Sequence, residues 1–110
     1  MAFKVLTLAH APDADKARHR SQIDTGMLQL STVIVRDQAE AVAICQAFME
    51  REGIDSVLVC PGFTHEDVAG IVEATGGRAG VFVARGDGPG ARISAAALQR
   101  AGYRSAQNED

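Results

Sequence analysis

The segment VLVCPGFTHEDVAGI, residues 57–71, passes from a continuous apolar run into a helical pattern within a few positions. The apolar run at 57–59 is typical of a strand that is covered on both faces. Thr64 and Asp67 have the spacing of an N-cap and its third helical residue, which predicts a helix with Ile71 on its inner side. A buried strand that leads directly into an amphipathic helix indicates a parallel α/β protein.

The same alternation continues in both directions from this segment. Strands are predicted at residues 3–9, 28–35, 54–60 and 81–84, and helices are predicted to start at caps Asp13, Asp37, Thr64 and Ser94. The first of these helices would run over residues 14–22. Alternating strands and helices imply right-handed crossovers between parallel strands. We therefore predict a three-layer α/β sandwich with a four-stranded parallel sheet of flavodoxin-like order 2-1-3-4.

The domain boundaries and the edges of this sheet follow from the same patterns. Residues 1–104 are predicted to form a single α/β domain, and residues 105–110 to form a polar C-terminal tail. The strand at 28–35 begins with polar and apolar residues in alternation, which favours one edge of the sheet. The strand at 81–84 would form the other edge. Because it is apolar, we expect this edge or a neighbouring helix face to be covered in a homodimer.

Composition excludes several classes of protein. The 110 residues are 46% hydrophobic and 23% charged, with a net charge of −3, so we expect a globular protein that binds no nucleic acid. The sequence has no apolar stretch of membrane-spanning length, and the run at 3–9 is too short for a secretory signal, so we expect no membrane association and a cytoplasmic location. Cys45 and Cys60 fit neither a disulfide framework nor a zinc motif. Cys45 falls on an apolar helical stripe and is predicted to be buried.

Reactive side chains follow the predicted strands. In open α/β sheets, ligands bind at the carboxyl ends of the strands where the strand order reverses, and His10 and Cys60 leave the two strands on either side of that point. Arg85 and Asp87 follow the last strand on the same rim. The sequence therefore predicts a site for a small anionic molecule at this end of the sheet.

Two chemical interpretations of this site remain open. Cys60 precedes a helix N-terminus, which favours a thiolate, but a cysteine at a strand end is also typical inert packing. His65, in the first helical turn, would tend to be neutral and suited to act as a base. Enzymatic Cys/His chemistry would use Cys60, His65 and His10 as catalytic residues. The ligand-binding residues would include Gly62, Phe63, Glu66, Arg85 and Asp87.

The alternative is an oligomeric interaction protein or a regulatory ligand-binding module without catalysis. The glycines from Gly86 to Gly90 match neither the dinucleotide fingerprint nor the phosphate-binding loop, so no cofactor is predicted. The three histidines lack the spacing of metal ligands, so no metal site is predicted either.

The chain also resembles a known family. Phe3, the segment 11–15, the pair His19-Arg20 and the pattern Cys60-x-Gly62-Phe63-x-His65-Glu66 are similar to a family of small bacterial proteins catalogued as a domain of unknown function. The resemblance implies no activity. It adds His19 and Arg20 to the candidate ligand-binding residues, together with Asp13 from the same pattern.

Overall fold

The computed structural model describes residues 1–86 and 88–103. In chain order the elements are β1 (Phe3–His10), β2 (Arg20–Asp24), β3 (Leu28–Val35), α1 (Gln38–Arg51), β4 (Ser56–Val59), α2 (His65–Ala74), β5 (Gly80–Val83) and α3 (Pro89–Arg100). The α/β class is confirmed. The predicted tail at 105–110 lies outside the described residues.

The strands form one mixed sheet of order β2-β3-β1-β4-β5. The neighbours β3, β1, β4 and β5 are parallel, and β2 pairs antiparallel with β3. The prediction of a four-stranded, wholly parallel sheet is therefore wrong. The predicted strands do lie in the order expected for them, but the strand at 28–35 is not an edge because β2 lies outside it.

The helix predicted at 14–22 does not form. Asp15 instead organises a turn: its carboxylate accepts a hydrogen bond from the Ala17 N–H at 3.0 Å, and its own N–H donates to His19 Nδ1 at 2.8 Å. Only Ala14 of this segment is buried, so an apolar stripe that would hold a helix against the sheet is missing. From residue 20 onward the backbone instead forms its hydrogen bonds by pairing with β3.

A short hairpin turn joins β2 to β3. The Gly26 N–H donates to the Asp24 carboxylate at 2.8 Å, and the Thr25 N–H donates to the Leu28 carbonyl at 2.9 Å. Gly26 has a φ of 99°, a conformation that favours glycine. This turn returns the chain antiparallel, where a parallel crossover would have required a helix.

The main core lies between one face of the sheet and the helices α1 and α2. Each helix begins at its predicted cap: the Asp37 carboxylate accepts from the Glu40 N–H at 2.9 Å, and Thr64 and Asp67 form a reciprocal capping box. The buried apolar residues alternate along the strands and repeat along the helices; the largest of them include Leu6, Leu8, Val33, Val35, Val57, Val59 and Ile71.

Helices α1 and α2 approach closely near their N-termini. Gln38 Nε2 donates to the carbonyl of Asp67 at 3.0 Å, and a Cβ placed on Gly70 would lie 3.1 Å from the same nitrogen. A larger residue at position 70 would push Gln38 aside. Gly70 therefore leaves room for the Gln38 side chain to bridge the two helices.

The opposite face of the sheet is incompletely covered. None of the residues of α3 is buried. The helix begins at Pro89 with Gly88 as its N-cap, earlier than the predicted cap at Ser94, because a proline in the first turn is well suited to start a helix. The predicted third layer is thus reduced to one helix near the carboxyl ends of the strands.

Among the described residues, none of the helices has the length and apolar character needed to cross a membrane.

Candidate functional site

A cavity of about 590 Å³ opens at the carboxyl ends of β1, β4 and β5. Its volume falls within the range of roughly 300–1,000 Å³ that is usual for small-molecule sites. One wall comes from the strand ends, and the other comes from α3 and from Tyr103, three residues after the helix ends. The lining residues are Ala9, His10, Cys60, Pro61, Gly62, Arg85, Gly86, Gly90, Ala91, Ser94, Ala95, Leu98 and Tyr103.

His10 stands at the end of β1 with its ring held in place by an aromatic stack. Its imidazole lies parallel to the ring of Phe63, with centroids 4.0 Å apart and planes 13° from parallel. Phe63 is itself buried in the main core, so the stack ties the imidazole to that core. Phe63 therefore holds the His10 ring in a fixed orientation from the core side of the sheet.

The protonation state of His10 follows from its surroundings. Burial lowers the pKa of His10 below 6.5, and the negative charges of Asp67 and Asp37 offset this only in part. The lowered pKa therefore favours the neutral ring at pH 7. Its Nε2 is buried and has no hydrogen-bond partner among the described residues.

Gly62 brings His10 and Cys60 to a common point. A Cβ built on Gly62 would lie 3.6 Å from His10 Nδ1 and 3.7 Å from Cys60 Sγ. Because glycine has no side chain, a ligand can approach the Gly62 backbone closely and lie near both groups. A neutral imidazole offers one donor and one acceptor, so Nδ1 can hydrogen-bond to a ligand in either tautomer.

The loop after β5 is pressed against the turn that carries this pair. A Cβ on Gly86 would come within 2.6 Å of Pro61 Cβ, closer than real side chains approach. Only glycine permits this contact. Gly86 thereby fixes the start of the α3 wall relative to Cys60 and Gly62.

Comparison with known proteins places the chain in a family. The description "Family of unknown function (DUF6506)" matches residues 3–98. The chain belongs to this family. No curated protein and no solved structure matches it. Membership in DUF6506 accounts for the resemblance noted in the sequence and assigns no chemistry, so the function of the site has to be argued from its geometry.

The cavity of this DUF6506 protein gathers four of the residues predicted from the sequence. His10, Cys60, Gly62 and Arg85 all line it, as parallel strands that end at one rim would require. Arg85 brings a guanidinium, which pairs well with carboxylate or phosphate. Asp87 lies outside the described residues.

The other predicted residues do not line this cavity. His65 and Glu66 are exposed in the first turn of α2, and Asp13 is exposed after β1. His19 Nδ1 accepts the Asp15 N–H in the turn before β2. Arg20, the first residue of β2, donates from Nε to the Lys16 carbonyl of that turn at 2.8 Å. Their ligand-binding or catalytic roles stay predictions.

The wall formed by α3 was missed in the sequence. Ala91, Ser94, Ala95 and Leu98 have the i, i+3, i+4, i+7 spacing of one helical face, and this face lines the cavity. The spacing is visible in the sequence, but small residues are weakly hydrophobic and did not stand out. If the last helix is taken to begin at Pro89, all four residues fall on one helical face.

The second cysteine plays no part in the site. Cys45 is buried in α1, as predicted, and desolvation raises the pKa of its thiol to about 12. Among residues 1–86 and 88–103, no group of three His, Cys, Asp or Glu side chains is placed to hold a metal ion.

Proposed function

We propose that this protein binds a small organic anion, a carboxylate or a phosphate ester, in the cavity at the carboxyl ends of β1, β4 and β5. The observation that carries the proposal is the meeting of His10 Nδ1 and Cys60 Sγ at the bare Cα of Gly62, inside a cavity of ligand size. We also infer a cytoplasmic location, since both cysteines are free thiols that suit a reducing compartment.

The lining of the cavity supports a ligand with an apolar body and a polar end. Alanines of β1 and α3, together with Pro61 and Leu98, supply apolar contacts, while polar groups are few. Such a combination is usual for small-molecule sites, where the polar groups fix orientation. Because its lowered pKa favours a neutral His10 ring at pH 7, the positive charge that would meet the anion comes from Arg85.

The position in the sheet supports the same proposal. The chain leaves β1 toward β3 on one side and later returns to β4 on the other side, so the strand order reverses between β1 and β4. Crevices at such points bind ligands in open α/β sheets. His10 and Cys60 occupy the two sides of this crevice.

Catalysis by the Cys60–His10 pair is the second candidate, and the shared contact point at Gly62 favours it. Nucleophilic catalysis needs a thiol and a base within hydrogen-bond reach of each other, and no hydrogen bond joins these two described side chains. Binding requires no such bond. We therefore place ligand binding first, as a regulatory or carrier function without turnover.

Thermal-shift measurements test the binding proposal. The probes are succinate, citrate, inorganic phosphate and AMP, each at increasing concentration. A ligand present at about 100 times its Kd stabilises the fold by about 2.7 kcal/mol, which raises Tm by roughly 10 °C for a domain of this size. Isothermal titration then gives the Kd of any probe that raises Tm.

Two arginine variants locate the anion. Arg85→Gln removes the guanidinium from the cavity, and we expect the Tm rise to disappear. Arg51→Gln removes a guanidinium from the last turn of α1, at the other end of the sheet, and should leave it unchanged. If the wild type gains no stability from any probe, or if both variants respond like the wild type, the anion site is refuted.

Catalysis has a separate signature. Cys60→Ala would retain binding and abolish turnover of a bound ester or amide if the thiol is a nucleophile. Full binding without turnover in the wild type would leave the non-catalytic module as the function.

A further inference from the structure

The sheet face opposite α1 and α2 carries an apolar surface that extends well beyond α3. Along β1, β3 and β4 the buried core residues alternate with residues that point to this other face. The hydrogen bond of 3.0 Å between Gln22 and Ser31 places Gln22 on the core side, so Ile23 points to the other. We name as the open sheet face the residues Phe3, Val5, Thr7, Ser21, Ile23, Leu28, Leu30, Thr32, Ser56, Leu58, Gly80 and Phe82.

Strand register makes the open sheet face continuous. Ile23 lies opposite Leu30, which pairs with Val5. In the next row Thr32 pairs with Thr7, Thr7 with Leu58, and Leu58 with Phe82. These side chains therefore form adjacent rows across all five strands.

No residue of the open sheet face is charged. The charged residues of the same strands belong to the other side: Lys4 Nζ donates to the Glu52 carbonyl at the end of α1, and the Arg20 guanidinium lies 6.0 Å from the centre of the Phe48 ring. Depletion of charge is characteristic of the core of a protein interface. It also means that two copies of this acidic chain can meet here without opposing like charges.

The exposed apolar area is that of an interface. Ile23, Phe82 and Phe3 are 60%, 59% and 53% exposed, and Leu28 and Leu58 are each more than a third exposed. Since a fully buried Phe covers about 150–250 Å², these five side chains leave roughly 400 Å² of apolar surface. A standard interface buries about 800 Å² per partner, of which somewhat more than half is apolar, so the face supplies most of that apolar area.

We propose that the open sheet face binds the same face of a second copy of this chain. Two sheets pack well face to face at about 10 Å with strands roughly 30° apart, and a two-fold axis allows one apolar face to cover another. A membrane surface is a poorer match because the face carries no Lys or Arg to meet anionic headgroups. The sequence led us to expect a dimer through the apolar edge strand or a neighbouring helix face, and this proposal uses the sheet face beside that edge instead.

Sedimentation velocity and light scattering on the full chain test this dimer. We expect the wild type to have the mass of two chains at about 100 µM, a concentration that detects micromolar affinity. Phe82→Glu and Ile23→Glu place a carboxylate on the face and should each weaken association at least 100-fold. Both side chains are more than half exposed in one protomer, so both variants should keep the wild-type circular dichroism spectrum.

A matched control carries the same change elsewhere. Val72 is 42% exposed on α2, on the other side of the sheet, so Val72→Glu should dimerise like the wild type. A monomeric wild type refutes the proposal, as does a dimer that survives both Glu variants or heterogeneous aggregation without a defined mass. Flotation of monomeric wild type with phosphatidylserine vesicles would assign the face to a membrane and also overturn it.

Discussion

Replacing Gly62 with alanine should separate the stability of this protein from its ligand binding. Gly62 is not among the glycines with positive φ, so alanine can adopt its backbone conformation. The added Cβ would lie 3.6 Å from His10 Nδ1 and 3.7 Å from Cys60 Sγ, distances of ordinary van der Waals contact. The methyl group would therefore fit the apo protein and obstruct the approach of a ligand to both side chains.

We expect the Gly62→Ala substitution to raise the stability of the fold and to lower the affinity for the ligand. A Gly→Ala change at a compatible site lowers the entropy of the unfolded chain and stabilises the fold by about 0.4–1 kcal/mol. For a domain of this length that corresponds to a Tm increase of about 2–8 °C. Binding should weaken at least tenfold, or about 1.4 kcal/mol, because the methyl group covers both polar atoms.

Thermal unfolding of the apo protein and titration with the anion found by the thermal-shift screen measure the two effects. Gly90→Ala is the control, since Gly90 lies in α3 and a Cβ there would meet nothing within 4 Å. It should stabilise the fold by a similar amount and leave affinity within a few-fold of the wild type. Unchanged affinity in Gly62→Ala would show that ligands do not use the space between His10 and Cys60. A loss of stability in Gly62→Ala would show that the space described beside Gly62 does not exist in the protein.

Three further outcomes follow from the described contacts. Because burial lowers the pKa of His10, protons bind the unfolded chain more tightly, so stability falls as pH drops through 6.5; His10→Phe keeps the stack and should lose this part of the pH dependence in urea titrations at pH 5–8. In native protein a chromogenic disulfide reagent should label Cys60 and spare Cys45, whose thiol pKa is about 12; early loss of both thiols would contradict the burial of Cys45. Thr64→Ala removes a cap from α2 and should lower the free energy of unfolding by about 1 kcal/mol, whereas Thr64→Ser should retain it.

Most of the fold was predictable because its signals are local. Strong caps at Asp37 and Thr64 and continuous apolar runs fixed two helices and four strands, and parallel connections alone put His10 and Cys60 at one rim. The helix prediction at 14–22 was wrong because the end of this segment pairs with β3. That pairing is a tertiary contact, which the local helical signals do not reveal.

The finer features of the site could not be read from the sequence. The stack of His10 on Phe63 and the contact of Gly86 with Pro61 depend on tertiary positions within a few ångströms, which neither spacing nor composition encodes. To predict that α3 lines the cavity, one would need to know that the helix begins at Pro89. The small residues on its inner face give only a weak periodic signal in the sequence.

The close approach at Gly70 connects the packing of α1 against α2 with the geometry of the crevice. An alanine there would crowd Gln38 Nε2 and strain its hydrogen bond to the Asp67 carbonyl, in the first turn of α2. The first turn of α2 begins three residues after Gly62. A slightly larger separation between α1 and α2 would therefore shift one side of the crevice, although the residues that line it would be unchanged. If the proposed anion binds here, substitutions at positions 38 and 70 should change its affinity without altering any residue that lines the cavity.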